Sequence, residues 1–494
     1  MIANNLGLTP TDRCLDSSLN MQKDEWIHRI SKLLGKSRVL TDSEERQVYS
    51  FDASRRRALP DVVVFPQDSD DVRRVMRIAS RNRIPVYPRG AGTGMVGGAL
   101  AKRGGIALVM TSMNRIIEIN PVNYTARIQP GVIVEDLKKA AKSKGLFYPP
   151  DPASAKFASI GGTVAVNSGG LNSLKYGATR DYVLALEVVS ARGEALKFGA
   201  GTLKSATGYD LMRLLIGSEG TLAVITEITV RLIPHPKRYD TMLALFPDDM
   251  AALKAAIGIV SEPLLPCALE FMDETAVYCA RKFTGDERLQ KACGALLIEF
   301  DSLSNDSCAS LMGRTREICR EAGALDIHDA ADADEREALW EVRRSLSPAV
   351  YEIAPTKINE DICVPRSEMA AVIREIKRIA RTRGLRVVNF AHAGDGNIHV
   401  NFMFDGEDKK KSAAAKDAVR ELFAVVVKRG GTLSGEHGVG IAKSPYLGMQ
   451  LGAKEIGLMR RIKKVFDPDG ILNPGKIFHG GKGLGNFESF GKRD

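Results

Sequence analysis

The chain reads as an α+β protein of two large units: a glycine-punctuated, strand-rich N-terminal unit, and a C-terminal unit in which helices alternate with strands over one antiparallel sheet. Three observations predict this. The 494 residues exceed what one ordinary core accommodates. Between residues 62 and 233 short strand signals dominate, with few helical patterns among them. After Pro234-His-Pro236, a plausible boundary, the pattern changes to long helical periods separated by apolar runs.

Taken in order, Val62–Phe65 reads as a buried strand. A helix follows with Ser69 as its N-cap, acids at 70 and 71, and apolar residues at Val72, Val75, Met76 and Ala79. Ile84–Tyr87 reads as a strand leading into the glycine loop Pro88–Gly98. Short strands are expected at 105–110, 116–120 and 125–129, then a helix at 133–144. The segment Ser159–Gly170 is built from small residues that let backbone lie against a flat ligand. Strands at 182–190 and 194–198 form a hairpin through Arg192-Gly193, and 221–233 forms another strand. Beyond the boundary, helices are expected at 248–261, 305–322, 332–353 and 367–383, with strands at 241–246, 268–273 and 295–301. Phe466–Gly475 is a turn-rich segment that packs back on the rest.

Bulk composition excludes little but is informative. A formal charge of +10 arises from 70 basic against 60 acidic residues and is spread along the chain. It suits an anionic substrate or a membrane surface, and no nucleic-acid partner is expected. The seven cysteines show no C-x-x-C spacing, so no iron–sulfur cluster or zinc ribbon is indicated, and the odd count fits a reducing cytoplasm. No run of eighteen apolar residues spans a bilayer, which leaves peripheral attachment to the inner face of a membrane open. Residues 1–20 lack a signal-peptide core and read as a disordered extension; Met21 is a second candidate start. The tail 480–494 reads as flexible.

Two segments carry chemistry. In Asn389-Phe-Ala-His-Ala-Gly-Asp-Gly-Asn-Ile-His-Val-Asn401, a two-residue turn at Asp395-Gly396 would place His392 directly opposite His399, close enough to share a metal ion, with Asn401 on the same face. In Ser434-Gly-Glu-His-Gly-Val-Gly440, glycines flank Glu436 and His437, so these neighbours need not point to opposite faces.

The glycine loop invites a different reading. Gly92-Thr-Gly-Met-Val-Gly97 matches G-x-G-x-x-G after a strand, and Glu118 follows at dinucleotide-binding distance. A Rossmann unit needs a crossover helix next, whereas Gly97, Gly98, Gly104 and Gly105 leave no room for one. What remains is a loop whose amides cradle phosphate.

These residues bear a family resemblance. Pro88–Gly98, Ser159–Gly170 and Gly217-Ser-Glu-Gly-Thr-Leu222 resemble the FAD-binding domain of the vanillyl-alcohol-oxidase (PCMH) type flavoproteins. His392-Ala-Gly-Asp-Gly-Asn-Ile-His399, Gly435-Glu-His-Gly438 and Leu472-Asn-Pro-Gly-Lys476 resemble the C-terminal domain of its FAD-linked D-2-hydroxy-acid dehydrogenase branch, which includes D-lactate dehydrogenases, D-2-hydroxyglutarate dehydrogenase and the glycolate oxidase D subunit. The resemblance implies a two-subdomain FAD-binding domain at 21–236, a substrate and cap domain with a metal site at 237–453, and a helix and turn segment at 454–479 returning to the FAD domain. It implies FAD contacts from Pro88, Arg89, Gly90, Ala91, Gly92, Thr93, Gly94 and Gly98; from Pro152, Ser159, Gly161, Gly162, Thr163, Asn167, Gly169 and Gly170; from Tyr176 and Gly177; and from Glu219, Gly220, Val224, Ile225 and Asn473. Tyr176, together with Arg180 and Asp181, could equally serve structural hydrogen bonds. No histidine lies between His28 and His235 and no cysteine between Cys14 and Cys267, so non-covalent FAD is the consistent reading.

Oxidising a 2-hydroxy acid requires a base for the hydroxyl proton, a hydride acceptor and a grip on the carboxylate. His437 is the candidate base, and His392, His399 and Glu436 the candidate ligands for a divalent metal, zinc first, with manganese or iron as alternatives. The resemblance assigns the same roles and likens Asn401 to a substrate-contacting residue. Arg343 offers the carboxylate a bidentate fork, though it could instead pair with Glu341 or Asp334 on a helix surface. Lys357 is a second candidate. In some relatives a lysine stands nearer the position of Asp361, so the spacing here departs from theirs.

The expected activity is oxidation of a small D-2-hydroxy acid, D-lactate or glycolate first, D-2-hydroxyglutarate as alternative. Electrons would pass to a separate quinone, cytochrome, electron-transfer flavoprotein or iron–sulfur subunit, in a homodimer or a hetero-complex. Two other classes stay open: a zinc metallohydrolase, which leaves the glycine loops unexplained, and a flavin-bearing subunit of a larger complex with no substrate of its own.

Overall fold

The computed structural model describes residues 23–306 and 308–478. The expected N-terminal extension, the choice of start residue and the tail from 480 lie outside these residues.

The N-terminal region holds two sheets. Strands β1 (Val39–Leu40), β2 (Val62–Val64), β3 (Val86–Arg89) and β4 (Ile106–Val109) form the first, in the order β1-β2-β4-β3, with β2, β4 and β3 parallel. The helix Ser69–Asn82 covers it through Val72, Val75, Met76 and Ala79, all fully buried. Its N-cap is Asp68, not Ser69: the Asp68 carboxylate accepts the Asp71 N–H, and a charged acceptor serves a helix start at least as well as a hydroxyl. No helix connects β3 to β4, and the glycine loop runs directly between these parallel neighbours.

Next along the chain come β5 (Ile116–Asn120), β6 (Thr125–Ile128), β7 (Leu146–Phe147), β8 (Val183–Val189), β9 (Ala195–Gly199), β10 (Val224–Arg231) and β11 (Ile233–Pro234). The second sheet is antiparallel, ordered β5-β6-β10-β8-β9, and β7 pairs with β11. The small-residue stretch at 159–170 contains a helix, Ile160–Val166, where the sequence suggested only close-lying backbone. Ile160, Thr163 and Val164 recur at helical spacing and are buried, which outweighs the low helix propensity of Gly161 and Gly162.

The C-terminal region is one seven-stranded antiparallel sheet. Its strands are β12 (Arg238–Phe246), β13 (Ala268–Asp273), β14 (Gly294–Ser302), β15 (Asp326–Asp329), β16 (Thr356–Cys363), β17 (Arg386–His392) and β18 (Asn397–Phe404), ordered β15-β12-β14-β13-β17-β18-β16. Helices Asp249–Ser261, Ala309–Glu321, Met369–Thr382 and Lys409–Lys428 bury one face, and Glu274–Thr284 and Ala333–Arg344 cover part of the other. The long helix expected at 332–353 is broken: Ala333–Arg344 is followed by Leu346–Ala349 and a 3-10 turn, with Pro348 unable to donate to a continuing helix. Strand β16 and helix Lys409–Lys428 had no counterpart in the sequence reading.

The histidine hairpin differs in register from the two-residue turn. His392 pairs with Asn397 and Phe390 with His399, so residues 393–396 form the loop. Asp395 and Gly396 both direct their N–H groups to the His392 carbonyl, which widens the turn. His392 and His399 are therefore diagonal rather than opposed. Side chains two residues apart share a face, so the shift of two leaves both rings on the same side.

The C-terminal helix Ala453–Phe466 leads a segment back to the first sheet. The Val86 N–H donates to the Ile471 carbonyl at 2.8 Å, the Asn473 N–H to the Val86 carbonyl at 2.7 Å, and Lys463 Nζ to the Thr221 carbonyl at 2.6 Å. Among the described residues, no helix is long and apolar enough to cross a membrane.

Candidate active site

A cleft of about 970 Å³ runs from the glycine loop, past helix Ile160–Val166, to the face of β16–β18 that carries Asn359, Phe390, His392, His399 and Asn401. One wall presents backbone and small side chains. Pro88, Arg89, Gly90, Ala91, Gly92, Thr93, Gly94 and Gly98 line it, with Pro152, Ser159, Gly161, Gly162 and Thr163, and then Glu219, Gly220, Val224 and Ile225. A Cβ on Gly90 would collide with Ser159 Oγ, so any side chain here would turn that hydroxyl away from the loop. Ser159 Oγ and Arg89 Nη1 are buried without a partner, which is the condition expected of donors reserved for an anionic ligand. Volume, bare backbone and unpartnered donors together suit the pyrophosphate and ring system of FAD.

Six residues expected on this wall lie elsewhere. Asn167, Gly169, Gly170, Tyr176, Gly177 and Asn473 do not line the cleft. The Tyr176 hydroxyl donates to Asp301, which also pairs with Lys175, in a separate polar cavity of about 130 Å³. Asn167 Oδ1 accepts the Arg180 N–H, Gly169 backs the Glu436 side chain, and Gly170 and Gly177 pack on Asp151 and Asp181. Asn473 Nδ2 donates to the carbonyls of Gly98 and Glu219, tying the C-terminal segment to both cofactor-side turns. Glu219 does line the cleft, yet its carboxylate accepts the N–H groups of Val439 and Gly440 at 2.7 and 2.8 Å. Its carboxylate thus fastens the loop bearing His437 across the cleft.

The opposite wall presents side chains from β16, β17, β18 and the 434–440 loop. His392 Nε2 lies 3.3 Å from His399 Nε2 and 3.8 Å from Glu436 Oε1, and His399 Nε2 lies 3.5 Å from the same oxygen. Three donors each ~2.1 Å from a tetrahedral ion sit about 3.4 Å from one another, so this triangle has the dimensions of a metal site. His392 Nδ1 donates to Glu270 at 2.8 Å, which turns Nε2 inward in the carboxylate–histidine arrangement common behind metals. Burial pulls the His399 imidazole down to about 3, despite the nearby Glu436 carboxylate, and so keeps its lone pair available. Burial alone would raise Glu436, but the His392 imidazole and the adjoining rings of His399 and His437 hold it at about 2. Burial likewise opposes a charge on His392, yet Glu270 and Glu436 push it well above the usual imidazole range. The pair of carboxylates favours positive charge at this point, and a divalent cation answers that demand. Glu436 Oε2 is buried without a hydrogen-bond partner, as suits a metal-ligating carboxylate.

The 434–440 loop is shaped by Asp361, which is fully buried on β16. Its carboxylate accepts from Ser434 Oγ, from the N–H groups of Gly435, Glu436 and His437, from Asn397 Nδ2 and from Lys443 Nζ. A Cβ on Gly435 would strike Asn397 and Asp361, so glycine admits this close approach. Although burial would raise it, the Lys443 ammonium and the neighbouring imidazoles and N–H donors hold the Asp361 carboxyl well below the usual range. His437, with its side chain 19% exposed, stacks on His399 at 5.5 Å between ring centroids, and its Nδ1 lies 3.8 Å from Asp361 Oδ2.

The other expected residues line the same cleft. Arg343 is buried; its Nε donates to Glu270 at 2.8 Å and its guanidinium lies 4.7 Å from the Phe390 ring centroid, which rules out the surface pairing with Glu341 or Asp334. Asn401 Nδ2 donates to the Val388 carbonyl, and its Oδ1 accepts from Asn359 Nδ2 at 2.9 Å. Lys357 donates to the Ser347 carbonyl at 3.2 Å.

Sequence reasoning missed Glu270, Asp361, Asn359 and Phe390. Glu270 carried a signal, a carboxylate within the apolar strand Ala268–Asp273. Asp361 carried none, because its strand was not recognised.

Comparison with known proteins agrees with this architecture. Residues 60–199 match the FAD binding domain family and residues 235–477 the C-terminal domain of FAD linked oxidases. The chain is 42% identical over 438 residues to glycolate oxidase subunit GlcD of Bacillus subtilis, covering 88% of this chain and 92% of that one. It is 38% identical to D-lactate dehydrogenase of Anaerostipes hadrus (93% and 98% covered) and 33% identical to D-2-hydroxyglutarate dehydrogenase of Stutzerimonas stutzeri (92% and 98% covered). Among solved structures, p-cresol methylhydroxylase shares the fold with a TM-score of 0.76 at 16% identity, over 92% of this chain and 97% of that one. The chain therefore belongs to the FAD-linked oxidases, in their D-2-hydroxy-acid dehydrogenase branch.

Proposed function

We propose that this protein oxidises a D-2-hydroxy acid to the 2-oxo acid, with the hydride passing to non-covalently bound FAD and the electrons then leaving to a separate acceptor. The observation that carries this reading is the convergence, in one cleft, of a backbone-lined wall suited to FAD with the His392–His399–Glu436 triangle and His437. When bound, FAD supplies the hydride acceptor, and a divalent metal on His392, His399 and Glu436 acidifies the substrate hydroxyl. His437 takes the hydroxyl proton as hydride leaves the substrate carbon, so the two hydrogens depart in separate directions, one as a proton and one as a hydride. Asp361 holds the His437 backbone in place and lies 3.8 Å from its Nδ1. The donors of Arg343 not used by Glu270 grip the substrate carboxylate, and Asn401, oriented by Val388 and Asn359, contacts the substrate beside them. Relatives named as glycolate oxidase subunits and D-lactate dehydrogenases support a small hydroxy acid.

The test is anaerobic mixing of the FAD-loaded protein with paired D- and L-2-hydroxy acids, following flavin absorbance with and without a chelator. Bleaching by a D-acid that the chelator abolishes is the expected result. A flavin that no 2-hydroxy acid reduces would overturn the proposal and favour a subunit that only relays electrons.

A further inference from the structure

None of the 14 residues of the helix Ala453–Phe466 is buried. One side leans on the protein: Ile462 and Phe466 pack against the core of the second sheet, and Lys463 Nζ donates to the carbonyls of Thr221 and Leu472 and pairs with Asp467. The outward side has a different composition. Lys454, Leu458, Arg461 and Val465 follow the i, i+4, i+7, i+11 spacing that puts side chains in one row. All four are exposed, Leu458 to 52% and Val465 to 80%. Lys464 and Arg460, also exposed, extend the row on one side. No carboxylate stands in it, because the one acid of the helix, Glu455, folds back against Gly452 at the first turn.

A helix face that meets only water mixes charges of both signs. On Lys409–Lys428, for example, Lys416 stands beside Asp417, and Glu421 pairs with Arg378 and Arg383. By contrast Lys454, Arg461 and Lys464 have no carboxylate partner among the described residues, and two aliphatic side chains project between them. That pattern meets both demands of an anionic bilayer surface: cations for the phosphates of the headgroups, and apolar side chains that enter the acyl boundary. An acidic protein would answer the cations and leave Leu458 and Val465 unaccounted for. The row also offers on the order of 200 Å², well short of the roughly 800 Å² per partner of a stable protein interface. Since no helix among the described residues is long and apolar enough to cross a membrane, attachment through this one is peripheral.

We propose that Lys454, Leu458, Arg461, Lys464 and Val465 form a docking surface for the anionic phospholipids of a membrane, with the helix lying in the plane of the headgroups. The helix and the segment behind it are tied to the cofactor-side turns by Lys463 and Asn473, so the cofactor-side unit is the one that docks. The surface stands apart from the cleft, and the docking does not depend on the oxidation proposed above.

The experiment is sedimentation of the full-length, FAD-loaded protein with vesicles of phosphatidylcholine alone or of phosphatidylcholine and phosphatidylglycerol in equal parts, at low and high salt. Wild type should bind the phosphatidylglycerol vesicles about tenfold or more tightly than the neutral ones, and lose that preference as salt rises. The double variant Arg461→Glu/Lys464→Glu should lose about tenfold or more of the binding, and Leu458→Ser/Val465→Ser several-fold, with flavin spectrum unchanged in both. Position is read separately with Leu458→Trp. Trp26 and Trp340 are buried, so a blue shift on adding phosphatidylglycerol vesicles reports the new side chain entering the interface. No preference for the anionic vesicles, R461E/K464E binding as tightly as wild type, or L458W emission that ignores the vesicles each overturns the proposal. Binding that survives intact in L458S/V465S overturns it too, because a purely electrostatic patch fits an acidic macromolecule instead.

Discussion

The two walls of the cleft do comparable work by different means. On the cofactor side the chain offers backbone: glycines at 90, 92 and 94, the small residues of 159–163, and two unpartnered donors at Arg89 and Ser159. On the cap side it offers side chains, each held by a partner distant in sequence: His392 by Glu270, the 434–437 turn by Asp361, Asn401 by Asn359. A wall of backbone tolerates changes in its surroundings as long as the glycines stay. A wall of side chains depends on carboxylates that never touch the substrate. The carboxylates of Glu219 and Asp361 approach the 434–440 loop from opposite sides, so this loop is where the two constructions are joined.

The largest effect should follow from removing the base. His437→Ala is expected to lower kcat by ~10²- to 10⁴-fold while the bound-flavin spectrum stays unchanged; equal losses of flavin and activity would mean that the ring is structural. Asp361→Ala should come next, because it takes the nearer carboxylate from buried Lys443, leaving only Glu360 at 4.0 Å, and frees four loop donors. A stability loss of about 3 to 5 kcal/mol by denaturant unfolding is expected, with loop 434–440 gaining proteolytic sensitivity. Glu270→Gln should separate positioning from ligation: roughly 10- to 100-fold weaker metal binding in a protein that still binds FAD. The smallest effect should come from Tyr176→Phe, whose hydroxyl faces Asp301 in the other cavity. FAD affinity should change less than about twofold by fluorescence titration, since this hydroxyl points into a separate cavity and does not line the cleft.

The same contrast explains what was legible from the sequence. The cofactor wall is written locally: a glycine loop without a crossover helix excludes a Rossmann unit, and parallel β3 and β4 are joined by that loop alone. The two histidines were legible because they lie in one hairpin, and the side-chain period of two returned them to one face even though the turn is longer than Asp395-Gly396 suggests. The supports were not legible. Asp361 lies 75 residues from the Glu436 N–H it accepts, and nothing in Asn359-Glu-Asp361 separates a loop anchor from a solvated turn. Glu219 matched a motif and was read as a cofactor contact, whereas its carboxylate is spent on a loop 220 residues away. Local patterns report period and turn chemistry; they carry no information about which distant backbone a buried carboxylate meets.

Metal and flavin content, measured together on purified wild type and His399→Ala, tests most directly whether the side-chain wall holds a metal independently of the backbone wall. The expected result is one divalent ion per chain in wild type, lost in H399A, with FAD content equal in both. Equal metal in the two proteins, or a wild type reconstituted with zinc, manganese or iron that retains none, would contradict the account.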